Sequence, residues 1–153
     1  MTGWQQSVAR AQQGDTTAFT AVVRHFQHMA VGYAYAVLGD FHLAEDAAQE
    51  AFVQAYLDLR KLRAPQAFPS WLRRIVFKQC DRFTRRKRVH TVPLDAGFES
   101  ADPRKGPLEA VEQKETQEEV LGAMSALPDS ERAAATLFYI DGYSMGEVGE
   151  FLG

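Results

Sequence analysis

The stretch AEDAAQEAF, residues 44–52, crowds Glu45, Asp46, Gln49 and Glu50 into little more than one helical turn. On a helix Glu45 would face Gln49 and Asp46 would face Glu50, so carboxylates and an amide gather on one side at a cost of a few tenths of a kcal/mol in like-charge repulsion. Two readings of that arrangement stay open. Acidic residues near a helix N-terminus gain from the macrodipole, although Asp46 and Glu50 lie beyond the favoured first turn. Alternatively the face docks onto Arg or Lys of a partner protein, an encounter that complementary charge would orient and accelerate. Metal binding fits poorly, because a carboxylate site of the helical-bundle type needs Glu-x-x-His pairs and the chain has none. His25 and His28 lie three apart with no carboxylate one turn away and read as polar-edge residues. No Gly-rich phosphate loop, zinc-ligand spacing or nucleophile motif is present. The expectation is therefore no metal, no cofactor and no enzyme, a helical enzyme using these carboxylates and histidines being the catalytic alternative.

A second constellation is basic. Residues 71–88, WLRRIVFKQCDRFTRRKR, hold eight Arg or Lys against one Asp. At helical spacing Arg74, Lys78, Asp81, Arg82 and Arg85 share one side, opposite Leu72, Ile75, Val76 and Phe83. A cationic stripe outside a packed one can follow a phosphate backbone, and aromatic side chains can stack on bases that leave a duplex. Phe68 and Trp71 are the aromatic candidates, with a core anchor the competing role for Trp71.

The elements that must position these residues are helical. The net charge of −3 conceals a division: residues 1–59 carry 2 basic and 6 acidic side chains, 60–88 carry 11 and 1, and 89–153 carry 4 and 13. A basic block inside an acidic chain is the footprint of a polyanion site or of a solvated face paired with acidic neighbours. Phe19, Val22, Val23, Phe26, Ala30, Tyr33 and Val37 form a helical stripe, with Asp15 as N-cap and Gly39 as stop. Asp40 can cap the next helix, with Leu43, Ala47, Ala51, Val53, Tyr56 and Leu57 on its apolar side. A third helix begins near Pro69. Residues 89–107 hold three Pro and two Gly without periodicity, which marks a linker between modules at 1–88 and 108–153. In the second module a helix over residues 108–127 is expected to end at Pro128, and DSERAAATLFYID to end at Gly142. Ser144 and Glu147 then form a capping box. Two short helices around a Gly look like the start of a helix-turn-helix. Cys80 stands alone, so no intrachain disulfide forms. The longest apolar run, residues 30–39, is too short to span a bilayer, and the N-terminus lacks signal-peptide features, making the cytoplasm the default location.

Taken in order, AEDAAQEAF, FPSWLRRIV, RRKR and LPDSERAAATLFYIDGYSMGEVGEFLG resemble a bacterial sigma factor of the extracytoplasmic-function group (group IV) within the sigma-70 family. The resemblance runs from about residue 14 to residue 153. It implies an all-α chain: an N-terminal bundle of the region 2 type that binds core RNA polymerase and the −10 promoter element, a linker, and a region 4-type helix-turn-helix. By matching position, Asp46, Gln49 and Glu50, with Glu45 nearby, would face the clamp helices of the largest polymerase subunit. The loop holding Lys61, Arg63 and Phe68 would lie where a flipped −10 base is captured. The helix with Trp71, Arg74, Lys78, Arg82, Arg85, Arg86, Lys87 and Arg88 would grip the non-template strand. Promoter DNA and polymerase are thus the implied partners, an anti-sigma factor a further one, and a membrane none.

Two departures shape the expectations. Lys78 replaces the Asn of the family's W-L-x-x-I-A-x-N pattern, removing a common polar contact near the −10 base. Gly146 and Gly149 stand where helix formers are usual, at about 1 kcal/mol each against Ala. The sequence stops before the recognition helix, so the resemblance implies a truncated chain, a gene fragment or a shortened paralogue, whose −35 reading is expected to be absent or crippled and whose flap contact is in doubt. Its alternative function is a module that competes for core polymerase without productive promoter recognition. Leu137, Phe138 and Ile140, deprived of a packing partner, are expected to be more exposed than their hydrophobicity implies.

Overall fold

The computed structural model describes residues 3–89, 119, 122–124 and 126–153. The linker expected at residues 89–107, apart from Val89, which ends the fourth long helix, and most of the helix expected at 108–127 lie outside them. Helix α1 (Gly3–Gln12) is followed by α2 (Thr16–Leu38), α3 (Phe41–Asp58), single 3-10 turns at Leu59–Lys61 and Pro65–Ala67, and α4 (Phe68–Val89). The C-terminal part contributes α5 (Asp129–Ala135), a π-helical turn (Thr136–Ile140) and α6 (Met145–Leu152). Among the described residues no strand occurs and no helix is long and apolar enough to cross a membrane.

Local chemistry sets the boundaries. The Asp15 carboxylate accepts from Ala18 N–H at 3.0 Å and the Asp40 carboxylate from Leu43 N–H at 3.1 Å, each satisfying an orphan donor of the helix it opens. Gly39 ends α2 at φ 70°, a left-handed conformation that an L side chain would strain, and its N–H reaches back to the Tyr35 carbonyl. Ser144 and Glu147 form the reciprocal capping box of α6, both bonds at 3.1 Å.

Helix α1 is absent from the periodicity reading above. Its Trp4, Val8 and Ala11 recur at i, i+4 and i+7, but in a short, Gln-rich segment that tertiary packing must hold. Val8 is fully buried, and Trp4 meets Phe26 edge to face at 5.4 Å. In α3 the inward face is made of Ala44, Ala47, Ala48, Ala51, Phe52 and Ala55. Four of the five alanines are wholly enclosed, so α2 and α4 approach the helix closely. The larger Val53, Tyr56 and Leu57, which the sequence reading assigned to the core, turn outward. In α4 the enclosed residues include Phe68, Leu72, Val76, Gln79 and Cys80, at the expected period.

The C-terminal helices join the same core, packing on α2 and α4. Here the exposure expected of three residues divides. Leu137 is fully buried, Phe138 half-buried and Ile140 exposed. The partner that Leu137 was expected to lack is α2. Gly32 removes the side chain that would keep the helices apart, because a Cβ there would collide with the Asp141 carboxylate and come within 3.3 Å of Leu137. Phe151 is likewise enclosed, its ring edge-on to Tyr33 at 5.5 Å. Arg132 Nε donates to the Ala36 carbonyl of α2 at 2.7 Å.

Candidate functional site

Burying the alanine side of α3 leaves Glu45, Asp46, Gln49 and Glu50 together in solvent. Helical phase continues this face into Val53, Tyr56 and Leu57, exposed to 54%, 49% and 69%. Those three residues are the functional candidates that sequence reasoning missed. The signal available for them was the alanine run, because a helix with a complete small-residue face has no need to bury its larger side chains. Beside them a groove of about 620 Å³ runs between α2 and α3, walled by Phe19, Val23, Phe52, Val53 and Tyr56 and edged by Glu45 and Gln49. Carboxylates beside an apolar groove can steer a basic helix and then bury its apolar side.

The second surface is on α4. Arg74, Lys78, Arg82, Arg85 and Arg86 are all exposed, opposite the enclosed Leu72, Val76 and Cys80, so the expected basic stripe is formed. Arg85 pairs with Asp81 at 3.2 Å and Arg82 donates to Gln79 at 3.2 Å. The exposed ion pair is worth little against a phosphate competitor. Lys87 and Arg88 continue the helix, and their side chains lie outside the described residues.

Lys61 and Arg63 are exposed on the segment between α3 and α4. Gln12 of α1 fixes that segment, donating through Nε2 to the Leu59 carbonyl at 3.1 Å and the Leu62 carbonyl at 2.9 Å. Lys61 also reaches Asp58 at 3.3 Å. The Gln54 amide, and then Lys61, hold the Asp58 carboxyl below its ordinary range.

One aromatic expectation is corrected. Phe68 has no exposed surface and packs against Phe26 at 5.1 Å, so it cannot stack on a base while the bundle is folded. It begins α4 on the inward side of the stripe, and its large apolar area is worth more inside than at a wet surface. Trp71 is half-buried against the same ring at 5.9 Å and keeps an exposed edge.

The two charged surfaces meet at a small cleft of about 100 Å³ between α3 and α4, lined by Glu50, Gln79, Arg82, Phe83 and Arg86. Among the described residues no group of three His, Cys, Asp or Glu side chains could hold a metal, and both His25 and His28 are exposed.

Comparison with known proteins places the chain in a family. Residues 22–89, which run from within α2 to the end of α4, match the model of sigma-70 region 2. The ECF RNA polymerase sigma factor SigW of Bacillus subtilis is 30% identical over 97% of this chain and 84% of its own length. The ECF RNA polymerase sigma-E factor of Escherichia coli K12 is 32% identical over 94% of this chain and 80% of its own. The probable RNA polymerase sigma factor RfaY of Xanthomonas campestris is 32% identical over 94% of this chain, which spans only 37% of that longer protein. With region 2 matched across α2 to α4, and relatives of this kind aligned over nearly all of its length, the chain belongs to the extracytoplasmic-function group of the sigma-70 family.

Proposed function

We propose that this sigma factor docks on core RNA polymerase through Glu45, Asp46, Gln49 and Glu50 of α3 and holds the separated non-template strand of the −10 element along α4. The observation that carries the reading is the separation of charge on one rigid bundle: α3 offers carboxylates beside an apolar groove, and the adjoining α4 offers only cations on its outer stripe apart from Asp81. An acidic face would repel DNA, and a basic stripe would be wasted on a basic helix, so each surface selects a different partner. Lys61, Arg63, Arg74, Lys78, Arg82, Arg85 and Arg86, continued by Lys87 and Arg88, supply phosphate contacts, with Trp71 the aromatic group available to an unstacked base. Lys78 contributes charge where the family pattern has an amide, so affinity there depends on salt rather than on base identity.

The test is a fluorescence titration with sigma-free core RNA polymerase, the parent chain beside an Asp46→Lys, Glu50→Lys double variant at fixed salt. Binding by the parent that weakens at least about tenfold in the variant, in line with losing complementary rim charges and gaining repulsive ones, supports the docking face. Equal binding by both would remove it.

A further inference from the structure

The two charged surfaces share a wall. Glu50 of the acidic face and Arg82 of the basic stripe both line the cleft between α3 and α4, together with Gln79, Phe83 and Arg86. An arginine that closed onto a carboxylate across such a cleft would satisfy both charges within the protein and withdraw each from an outside partner. Among the described residues, however, neither Glu50 nor Arg82 has an ion-pair partner. The arginines at this end of α4 are held from their own helix instead. Arg82 donates to the Gln79 carboxamide at 3.2 Å, Arg85 pairs with Asp81 at 3.2 Å, and Arg86 lies over the Phe83 ring at 6.0 Å.

Gln79 is unlike the other two holders. It is a polar side chain in the enclosed row of α4, 6% exposed, beside the fully buried Val76 and Cys80. Packing fixes the rotamer of a side chain so enclosed, and with it the direction in which the amide oxygen points. A buried amide is costly unless it is bonded, and the bond its oxygen makes is to Nη1 of Arg82. Being neutral, the amide orients the guanidinium without cancelling its charge, as a carboxylate in that place would.

We propose that Gln79 is a positioning residue: its buried carboxamide keeps Arg82 from closing onto Glu50, so that α3 retains a carboxylate for polymerase and α4 a cation for DNA. The proposal rests on the reading of α3 and α4 as the polymerase and DNA surfaces. Without the amide, Arg82 swings across the cleft, and the ion pair formed there removes one charge from each surface at once. A packing defect would alter stability alone, whereas this closure changes two affinities together and requires Glu50.

The experiment uses the full chain in two titrations, one with a fluorescein-labelled single-stranded oligodeoxythymidine across a salt series and one with sigma-free core RNA polymerase at fixed salt. Gln79→Met keeps the volume of the side chain and removes the acceptor. Gln79→Ala repeats the change with nothing left in the cleft, which covers the case in which the longer side chain does not pack. Each is made with Glu50 intact and with Glu50→Gln, a cycle that cancels the general effect of removing a charge. With Glu50 intact, either substitution should weaken both DNA and polymerase binding about threefold, roughly the worth of one exposed charge pair. The DNA salt slope should become shallower by about 0.7, one phosphate contact on a single strand. With Glu50→Gln the DNA loss should disappear, because Arg82 has no carboxylate on which to close. A DNA loss of the same size in both backgrounds would overturn the proposal, showing that Gln79 acts through the packing of α4 or touches DNA itself. Unchanged binding of both partners in both Gln79 variants would overturn it as well. A Glu50-dependent DNA loss with polymerase binding intact would support the positioning of Arg82 and remove Glu50 from the docking face. Lys78→Glu, Arg82→Glu is the control on the stripe: DNA binding absent from the parent, or indifferent to that control, would remove the reading of α4 and the role of Gln79 with it.

Discussion

Two aromatic residues one turn apart at the start of α4 divide between core and surface. Phe68 and Trp71 both read as stacking candidates because an aromatic beside a cationic block is ambiguous in sequence; the helical phase that buries one and leaves an edge of the other is settled only by the surrounding helices. Phe68→Ala should therefore lower stability by about 3–5 kcal/mol, the cost of an aromatic cavity in a packed core, seen as a reduced midpoint in urea denaturation. Lys78→Ala should leave that midpoint nearly unchanged and make the DNA salt slope shallower by about 0.7. Equal effects of the two substitutions on stability would contradict the division. Cys80 follows from the same enclosure: with its thiol raised to about 12, it should react with a disulfide reagent only as fast as the bundle opens, and rapidly in denaturant.

Helix ends were the most legible feature of the sequence, because a cap is a short-range interaction between residues three or four apart. Asp15, Gly39, Asp40 and the Ser144–Glu147 pair all act as their residue types dictate. Asp40→Ala should thus cost about 1 kcal/mol, measured by urea denaturation, with Asp40→Asn recovering most of it. What periodicity could not supply was the identity of the packed face in α3. Its larger apolar residues drew the reading toward Val53, Tyr56 and Leu57, whereas close packing selected the alanines. Ala48→Leu should consequently destabilise the bundle by about 1–3 kcal/mol through overpacking, while Leu57→Ala should leave stability nearly unaltered and weaken polymerase binding. A stable Ala48→Leu variant with native-like unfolding would show that the α2–α3 interface is looser than its buried alanines imply. The acidic face was visible in sequence because its spacing is local, yet its apolar extension depended on which way the whole helix faces.

The docking of the C-terminal helices on the bundle was illegible, since it joins residues about a hundred positions apart and turns on one glycine in the middle of a helix. That docking carries a pH dependence. Asp141 sits against Gly32, and burial raises its carboxyl above the ordinary value, with the charge of His28 acting in the opposite direction. Around it stand Glu45 of α3, which lines the same cleft, and Tyr143, itself raised chiefly by burial and then by Asp141 and Glu147. An acid whose folded pKa is raised binds its proton more readily when docked than when free, so docking is penalised above the folded pKa and relieved as pH falls toward the unfolded value of about 3.9. Docking should therefore tighten on mild acidification, in a window beginning above the ordinary aspartate range, and the distance between spin labels placed at the exposed Thr20→Cys of α2 and Met145→Cys of α6 should narrow in distribution as it does. Asp141→Asn should hold the docked distance at neutral pH and flatten the response. Loosening of the parent on acidification would show that the contact at Gly32 favours the Asp141 carboxylate in its charged form.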